Sequence, residues 1–391
     1  MNDKMPLKMK ILLANDSAER VGGAEIYLYN LIDLLKKKGN QVESYFSRDR
    51  LRLDILGSMF NIRNLVKIYK KMKRLNIDVL HIHKYNLSLS VSPLIAAKLL
   101  KKKTVVTFHD FGLICANGWC VDKDGKPCDN PSSIRWVFRK SLSNKLFVKK
   151  LYDYVKNAIH IFLIRIFADV CICPSKAMAD YIRKIFKNKK VIYLPYFNSQ
   201  NIKKDIKEIS NNKIAYVGRL NREKGVKCLI ESYKLVIEEV PSAKLIIIGE
   251  GKERGNLERL AKQLFPQGNI QFEGLMDHKD VIKIYKNVCV IVTPSLWVEN
   301  NPLVLYESMA YGIPLIGSKI GGIPDMIKDS YNGYLVEGGK SNELAKKIIY
   351  LLKNKKKAMM MGERGRKILQ EQFNDKDHLN KLIILYKINK K

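Results

Sequence analysis

Val288-Cys289-Val290-Ile291-Val292-Thr293, followed by Pro294-Ser295-Leu296-Trp297-Val298-Glu299-Asn300-Asn301-Pro302-Leu303-Val304-Leu305-Tyr306-Glu307, decides the architecture. The first six residues form a short apolar, β-branched run that reads as a strand. A loop follows, then a helix start: Asn301 is a favoured N-cap and Pro302 suits the first helical position. The helix is expected to reach about Tyr311, where Gly312 and Pro314 stop it, and Pro314–Gly317 reads as the next strand. Strand, loop, helix and strand make one βαβ unit, which needs a parallel sheet.

The same alternation runs outward in both directions. Upstream strands are expected at Lys10–Ala14, Val42–Phe46, Asp78–His81, Thr104–Phe108, Asp169–Cys173 and Val191–Leu194. Beyond them lie Lys213–Val217, Lys244–Ile248, Ile270–Phe272, Val288–Thr293, Pro314–Gly317 and Gly333–Val336. The polar stretch Phe197–Asn212 separates the two series and reads as a linker. Near the end, Leu379, Leu382, Ile383 and Tyr386 share one face of an amphipathic helix. The chain is therefore expected to be α/β, with two doubly wound Rossmann-like domains at 1–196 and 213–374, a linker at 197–212 and a closing helix at 375–391. Such sheets bind ligands beyond the carboxyl ends of their strands.

The 391 residues carry 71 Lys+Arg against 38 Asp+Glu, a formal net charge of +33. Such a surface attracts polyanions, whether nucleic acid, an anionic membrane face or phosphorylated substrates; abundant Lys, Asn and Ile also suit an AT-rich genome. Nothing at Met1–Lys10 reads as a secretory signal, and the most apolar stretch, Ala158–Cys173, is broken by His160, Arg165 and Asp169. The expected location is cytoplasmic, at most peripheral on the inner face of the cell membrane. Seven cysteines, an odd number in mostly apolar segments, suit a reducing compartment. Cys115, Cys120 and Cys128 share a loop without a common zinc spacing, so no bound metal is expected.

Five segments carry candidate chemistry. Gly22-Gly23-Ala24-Glu25 opens a helix after the first strand, where two glycines admit a ligand to the backbone and a helix start favours anions. Val217-Gly218-Arg219-Leu220-Asn221-Arg222-Glu223-Lys224-Gly225 places Arg219 and Lys224 at a strand's carboxyl end, a fork and a point charge for phosphate oxygens. At the helix beginning near Pro302, the free amides of Leu303 and Val304 would face an anion. Glu299 and Glu307 suit sugar hydroxyls, since carboxylates accept their hydrogen bonds. His109-Asp110 follows a strand end, with His81 and His83 as competitors and Asp110 as a base or a cap. Gly249-Glu250-Gly251 would let a nucleotide lie close to the backbone. Each segment also has a plain structural reading as a turn, a solvated cation or an ordinary surface acid.

Together these residues resemble glycosyltransferase family 4, retaining enzymes of the GT-B fold. The likeness rests most on Glu299 and Glu307 with Ser308-Met309-Ala310-Tyr311-Gly312-Ile313-Pro314, then on Gly218-Arg219-Leu220 with Lys224-Gly225, and extends through Gly22-Gly23-Ala24-Glu25 and His109-Asp110. It implies two domains facing a central cleft, with the closing helix packed back on the first. It implies that Arg219 and Lys224 hold a donor diphosphate, that Glu307 binds ribose hydroxyls and that Glu299 contacts the transferred sugar. Leu303 and Val304 amides would support the terminal phosphate, Gly23 would approach it, and His109 would bond the donor sugar. His109, Glu299, Arg219 and Lys224 are thus the catalytic candidates. Gly22, Gly218, Gly249, Glu250 and Asn301 complete the donor set. No metal or cofactor is implied. Many members carry Phe-Gly where this chain has Asn301-Pro302, and proline removes one amide donor. The insertion Asp110–Lys140 resembles one carried by a subset of the family.

The expected reaction moves a hexose-type sugar from a UDP- or GDP-sugar to an acceptor hydroxyl with retention. The basic first half then bears on the acceptor. Ser133–Lys190 holds fourteen Lys/Arg and three Asp, and Arg63–Arg74 holds six Lys/Arg and no acid. In the latter, Ile62, Leu65, Tyr69 and Met72 form a helical stripe that suits either an anionic membrane or the core. A lipid-linked or cell-surface glycan precursor is the expected acceptor. The rival readings are a sugar-nucleotide epimerase or phosphorylase of the same fold, a non-catalytic relative, and a basic nucleic-acid-binding protein without a recognisable reading module.

Overall fold

A computed structural model describes residues 8–19, 22–47, 55–115, 144–198 and 211–387. The linker interior, most of the insertion after Cys115, and Cys120 and Cys128 lie outside the described residues. The chain falls into two compact units. Among described residues, one holds those up to Cys115, residues 144–197 and residues 375–387; the other holds Asn198 and residues 211–374.

The first unit is built on β1 (Lys10–Asn15), β2 (Gln41–Phe46), β3 (Val79–Ile82), β4 (Lys103–Thr107), β5 (Val170–Cys173) and β6 (Lys190–Tyr193). They form one sheet in the order β2-β1-β3-β4-β5-β6, parallel throughout. The second unit is built on β7 (Lys213–Val217), β8 (Lys244–Ile248), β9 (Ile270–Gly274), β10 (Val290–Thr293), β11 (Leu315–Ser318) and β12 (Gly333–Val336). Its parallel order is β12-β11-β10-β7-β8-β9. The interior strands β3, β5, β10 and β11 are buried at every position, because crossover helices cover both faces of a parallel sheet. The edge strands β2 and β9 instead expose Glu43 and Glu273, charges that blunt an unpaired edge.

Helix Gly23–Lys37 buries Tyr27, Leu28, Leu31, Ile32, Leu34 and Leu35, and Gly39 turns the chain away at φ +83°. Helix Ile62–Leu75 departs from the expected stripe. Its core-facing line is Asn64, Ile68 and Met72, while Ile62 is 66% exposed. The rotation follows from Asn64, whose amide donates to the Ser88 carbonyl at 2.8 Å and whose Oδ1 accepts from the Tyr45 hydroxyl at 2.8 Å. A polar side chain so well satisfied is drawn inward and turns the helix with it.

The closing helix, Asp375–Lys387, belongs to the first unit. It buries Leu379, Leu382, Leu385 and Tyr386 there. His378 Nε2 lies 3.0 Å from the Tyr27 hydroxyl, and the Tyr386 hydroxyl lies 2.8 Å from His81 Nδ1. No helix among the described residues is long and apolar enough to cross a membrane.

Candidate functional site

In the second sheet β7 and β10 are neighbours, although β8 and β9 separate them in sequence. The chain leaves β7 toward one edge and β10 toward the other. The loops at their carboxyl ends therefore diverge, and such a switch point is where doubly wound sheets bind ligands. The loop Gly218–Gly225 follows β7, and the loop Pro294–Pro302 follows β10.

The two loops are joined by their backbones. Gly225 sits at φ +70°, and a Cβ there would lie 1.9 Å from the Pro294 carbonyl oxygen, so only glycine fits. The Leu296 amide donates to the Glu223 carbonyl at 2.8 Å. This contact brings Lys224, in the short turn Arg222–Lys224, to Glu299: Nζ to Oε1 is 2.6 Å. The Ser295 hydroxyl donates to the same oxygen at 2.7 Å, and Lys224 Nζ lies 4.7 Å from the centre of the Trp297 ring. Glu299 is itself fixed from β11's loop, where the Gly322 amide donates to its carbonyl at 2.8 Å. Burial alone would push the Glu299 carboxyl up, but the Lys224 ammonium and its hydrogen bonds more than offset that and leave it below its ordinary value. Arg219, by contrast, is exposed and has no side-chain hydrogen bond or ion pair among the described residues.

Helix Leu303–Ala310 begins at this loop. The expected cap is corrected by one residue: Pro302 occupies the N-cap position, and the Asn301 side chain instead accepts from the Tyr306 hydroxyl at 2.7 Å. Tyr306 lies on the buried face of the helix, so it draws Asn301 inward rather than along the helix axis. Among the described residues the amides of Leu303 and Val304 have no hydrogen-bond partner, as first-turn amides must unless something outside the helix takes them. Glu307, in the second turn, is held by residues that spacing alone did not single out. The Tyr285 hydroxyl donates to Oε2 at 2.7 Å, and His278 Nε2 lies 3.5 Å from Oε1. The hydrogen bond to Glu307 and its charge raise the His278 pKa, burial opposing them.

Gly249-Glu250-Gly251 has a structural duty. A Cβ at Gly249 would lie 1.9 Å from the Gly218 carbonyl oxygen, and one at Gly251 would lie 2.3 Å from the Leu220 carbonyl oxygen. The Leu220 amide donates to the Glu250 carbonyl at 2.8 Å. These glycines let the β8 loop support the β7 loop. The Glu250 carboxylate pairs with Arg254.

In the first unit, β1 and β3 define the corresponding switch point. Gly22 is the N-cap of helix Gly23–Lys37, and buried Glu25 pairs with Lys84 at 2.7 Å. His109 has both ring nitrogens engaged: Nε2 lies 2.9 Å from His83 Nδ1 and Nδ1 lies 2.6 Å from the Tyr196 hydroxyl. Burial, with His83 and Lys84 nearby, holds its pKa well below the ordinary imidazole value. His81 is likewise enclosed, by Thr107 and Tyr386. Asp110 Oδ1 accepts from the Gly112 amide at 2.9 Å and from the Asn86 side-chain amide at 3.2 Å. Cys115 is buried, and no group of three or more His, Cys, Asp or Glu among the described residues is placed to hold a metal ion.

Residues 197–368 match the family model for glycosyl transferases group 1, and residues 21–196 match that for glycosyltransferase family 4. The chain belongs to the family 4 glycosyltransferases. Among its relatives is the N-acetyl-alpha-D-glucosaminyl L-malate synthase of Bacillus anthracis, 27% identical over 56% of this chain and 59% of that one. Another is the capsular polysaccharide biosynthesis glycosyltransferase CapM of Staphylococcus aureus, 27% identical over 48% of this chain and 53% of that one. The chain thus aligns with little more than half the length of either. The crystal structure of Anabaena Alr3699/HepE in complex with UDP superposes with a TM-score of 0.69 over 96% of this chain and 98% of that one, at 18% identity, a likeness of GT-B fold.

Proposed function

We propose that the protein transfers a hexose-type sugar from a uridine or guanosine diphosphate sugar to a hydroxyl of a lipid-linked or cell-surface glycan precursor, with retention at the anomeric carbon. The observation that carries this is the convergence, at the β7/β10 switch point, of exposed Arg219, Lys224 and the unpaired amides of Leu303 and Val304 with two fixed carboxylates. The cations and amides receive the diphosphate. Lys224 keeps two ammonium protons after bonding Glu299, so it binds phosphate without releasing its partner. Glu307, with Oε2 taken by Tyr285 and Oε1 beside His278, still has lone pairs for ribose hydroxyls. Glu299 carries its described bonds on Oε1 and offers Oε2 to a sugar hydroxyl.

In the reaction the acceptor oxygen bonds to the anomeric carbon and the bond from that carbon to the β-phosphate oxygen breaks. The acceptor's proton passes to the departing phosphate. Arg219, Lys224 and the helix amides stabilise the charge that develops there, without a metal ion. The roles of Gly22, Gly23 and His109 toward the donor rest on family resemblance. The UDP complex of the Anabaena relative and the capsular role of CapM support the donor and acceptor classes. The chain's positive charge supports an acceptor held at an anionic membrane surface.

A thermal-shift screen against sugar nucleotides tests the donor half, and turnover on lipid-linked acceptors tests the rest. Stabilisation by one UDP- or GDP-sugar, lost in Arg219→Ala, is the expected result. No shift with any nucleotide sugar would refute the reading.

A further inference from the structure

Helix Asn144–Phe167 has an unusual outer side. A surface helix normally turns polar residues to water, with an apolar stripe facing the core. Here the core side is supplied by Asn157, His160, Leu163 and Ile164, all buried. Yet the exposed positions include Val148 (65%), Leu151, Val155, Phe162 (60%) and Ile166. Their offsets of three, seven, fourteen and eighteen residues from Val148 fall on one narrow line along the helix. At 1.5 Å per residue the line is about 27 Å long. The helix therefore carries a second apolar stripe, turned outward, and a patch of that length on a monomer marks an interaction surface.

The neighbouring chain extends it. Helix Ile55–Met59 is fastened to this helix, since Ser58 bonds Tyr152 and His160 Nε2 lies 3.0 Å from the Ser58 carbonyl. The chain then runs through half-exposed Phe60 into helix Ile62–Leu75, whose outer positions are Ile62, Arg63, Val66, Lys67 and Lys70. Among the described residues no acid forms an ion pair with Arg63, Lys67 or Lys70. The one acid of helix Asn144–Phe167, Asp153, is tied to Lys156 at 3.1 Å.

We propose that this outward stripe, with Phe60, Ile62 and Val66 beside it, is a docking surface for an anionic lipid bilayer, on which the helix lies parallel to the membrane. Charge selects the occupant. A second copy of a chain with net charge +33 would have to bring its own basic surface against these cations, whereas anionic headgroups neutralise them. An outward apolar line flanked by cations, on a helix unable to span, matches the interfacial binding mode. The proposal rests on the membrane-acceptor reading for its purpose only; the sugar-nucleotide chemistry does not depend on it.

The test is flotation of the full chain with vesicles of phosphatidylcholine alone or with roughly one third phosphatidylglycerol. Wild-type protein should float with the anionic vesicles and not the neutral ones. Leu151→Gln/Phe162→Gln should lower the partition at least about tenfold, with unchanged thermal unfolding and unchanged nucleotide binding. In Phe162→Trp, anionic vesicles should shift the new indole emission to the blue. A double variant that floats like wild type, or no blue shift in the tryptophan variant, overturns the surface while leaving membrane association standing. Wild-type protein that stays in solution overturns both. A dimer that the double variant dissociates assigns the stripe to a second copy instead.

Discussion

Lys224 and Glu299 are each mostly removed from water, at 15% and 7% side-chain exposure, so neither tolerates loss of the other. Lys224→Ala strands a buried carboxylate and should lower the unfolding free energy by about 2–4 kcal/mol, measured by urea denaturation, as well as abolishing transfer. The variant should still fold, because the surrounding sheet is untouched. A loss of stability with full turnover would contradict the assignment of Lys224 to the diphosphate. Glu307→Gln separates charge from shape. The amide still accepts from Tyr285, but its oxygen is a weaker acceptor for ribose, and KM for the donor should rise about 10- to 100-fold with a smaller change in kcat. At this scale the sequence was informative about residue types and silent about their partners. Glu299, Glu307, Arg219 and Lys224 stood out by spacing, whereas Tyr285 and His278 hold Glu307 from places that no local pattern connects to it. Asn301 shows the same limit: its local signal as a cap lost to Tyr306, a partner set by which helix face is buried.

Elements were the most legible level. All twelve strands among the described residues were expected within a few residues, because most are short apolar runs bounded by turn residues, and that pattern survives packing on both faces. Helix Ile62–Leu75 was the exception, since apolar spacing alone could not foresee that an asparagine would take a core position. Loop junctions are where elements become a site. Gly225 holds the β7 loop against Pro294, and Gly225→Ala would need both a disfavoured backbone and a displaced carbonyl. It should cost about 1–3 kcal/mol and, by moving Lys224, lower kcat/KM at least about tenfold, read by denaturation and steady-state kinetics. Wild-type kinetics in that variant would mean that Lys224 finds Glu299 without this junction.

Across the whole molecule the six histidines are unevenly placed. Five, His81, His83, His109, His160 and His378, are in the first unit, and burial lowers the pKa of each: to about 3 for His83, about 4 for His160 and His378, and well below the ordinary value for the other two. A lowered folded pKa means that the unfolded chain binds the proton first. The stability these rings allow is present above the ordinary imidazole pKa and is lost progressively as pH falls through and below it, by at most about 1.4 kcal/mol per pH unit for a ring that stays neutral in the fold. The first unit should therefore lose stability ahead of the second as pH falls from 7 to 5. The second, whose His278 is shifted the other way, should persist, and scanning calorimetry between pH 7 and 5 should resolve two transitions from one. A single transition unchanged over that range would show that the rings can take up protons without opening the core.

The closing helix has one more consequence, for the order in which the protein can be made. On a ribosome the second unit emerges as one contiguous stretch and can fold as soon as it clears the exit tunnel. The first unit, begun earlier, must wait for residues 375–387, since Tyr27 and His81 are capped by His378 and Tyr386 only once that helix has emerged. The unit begun first is thus completed after the one that follows it, and a nascent chain stalled before His378 carries an open seam.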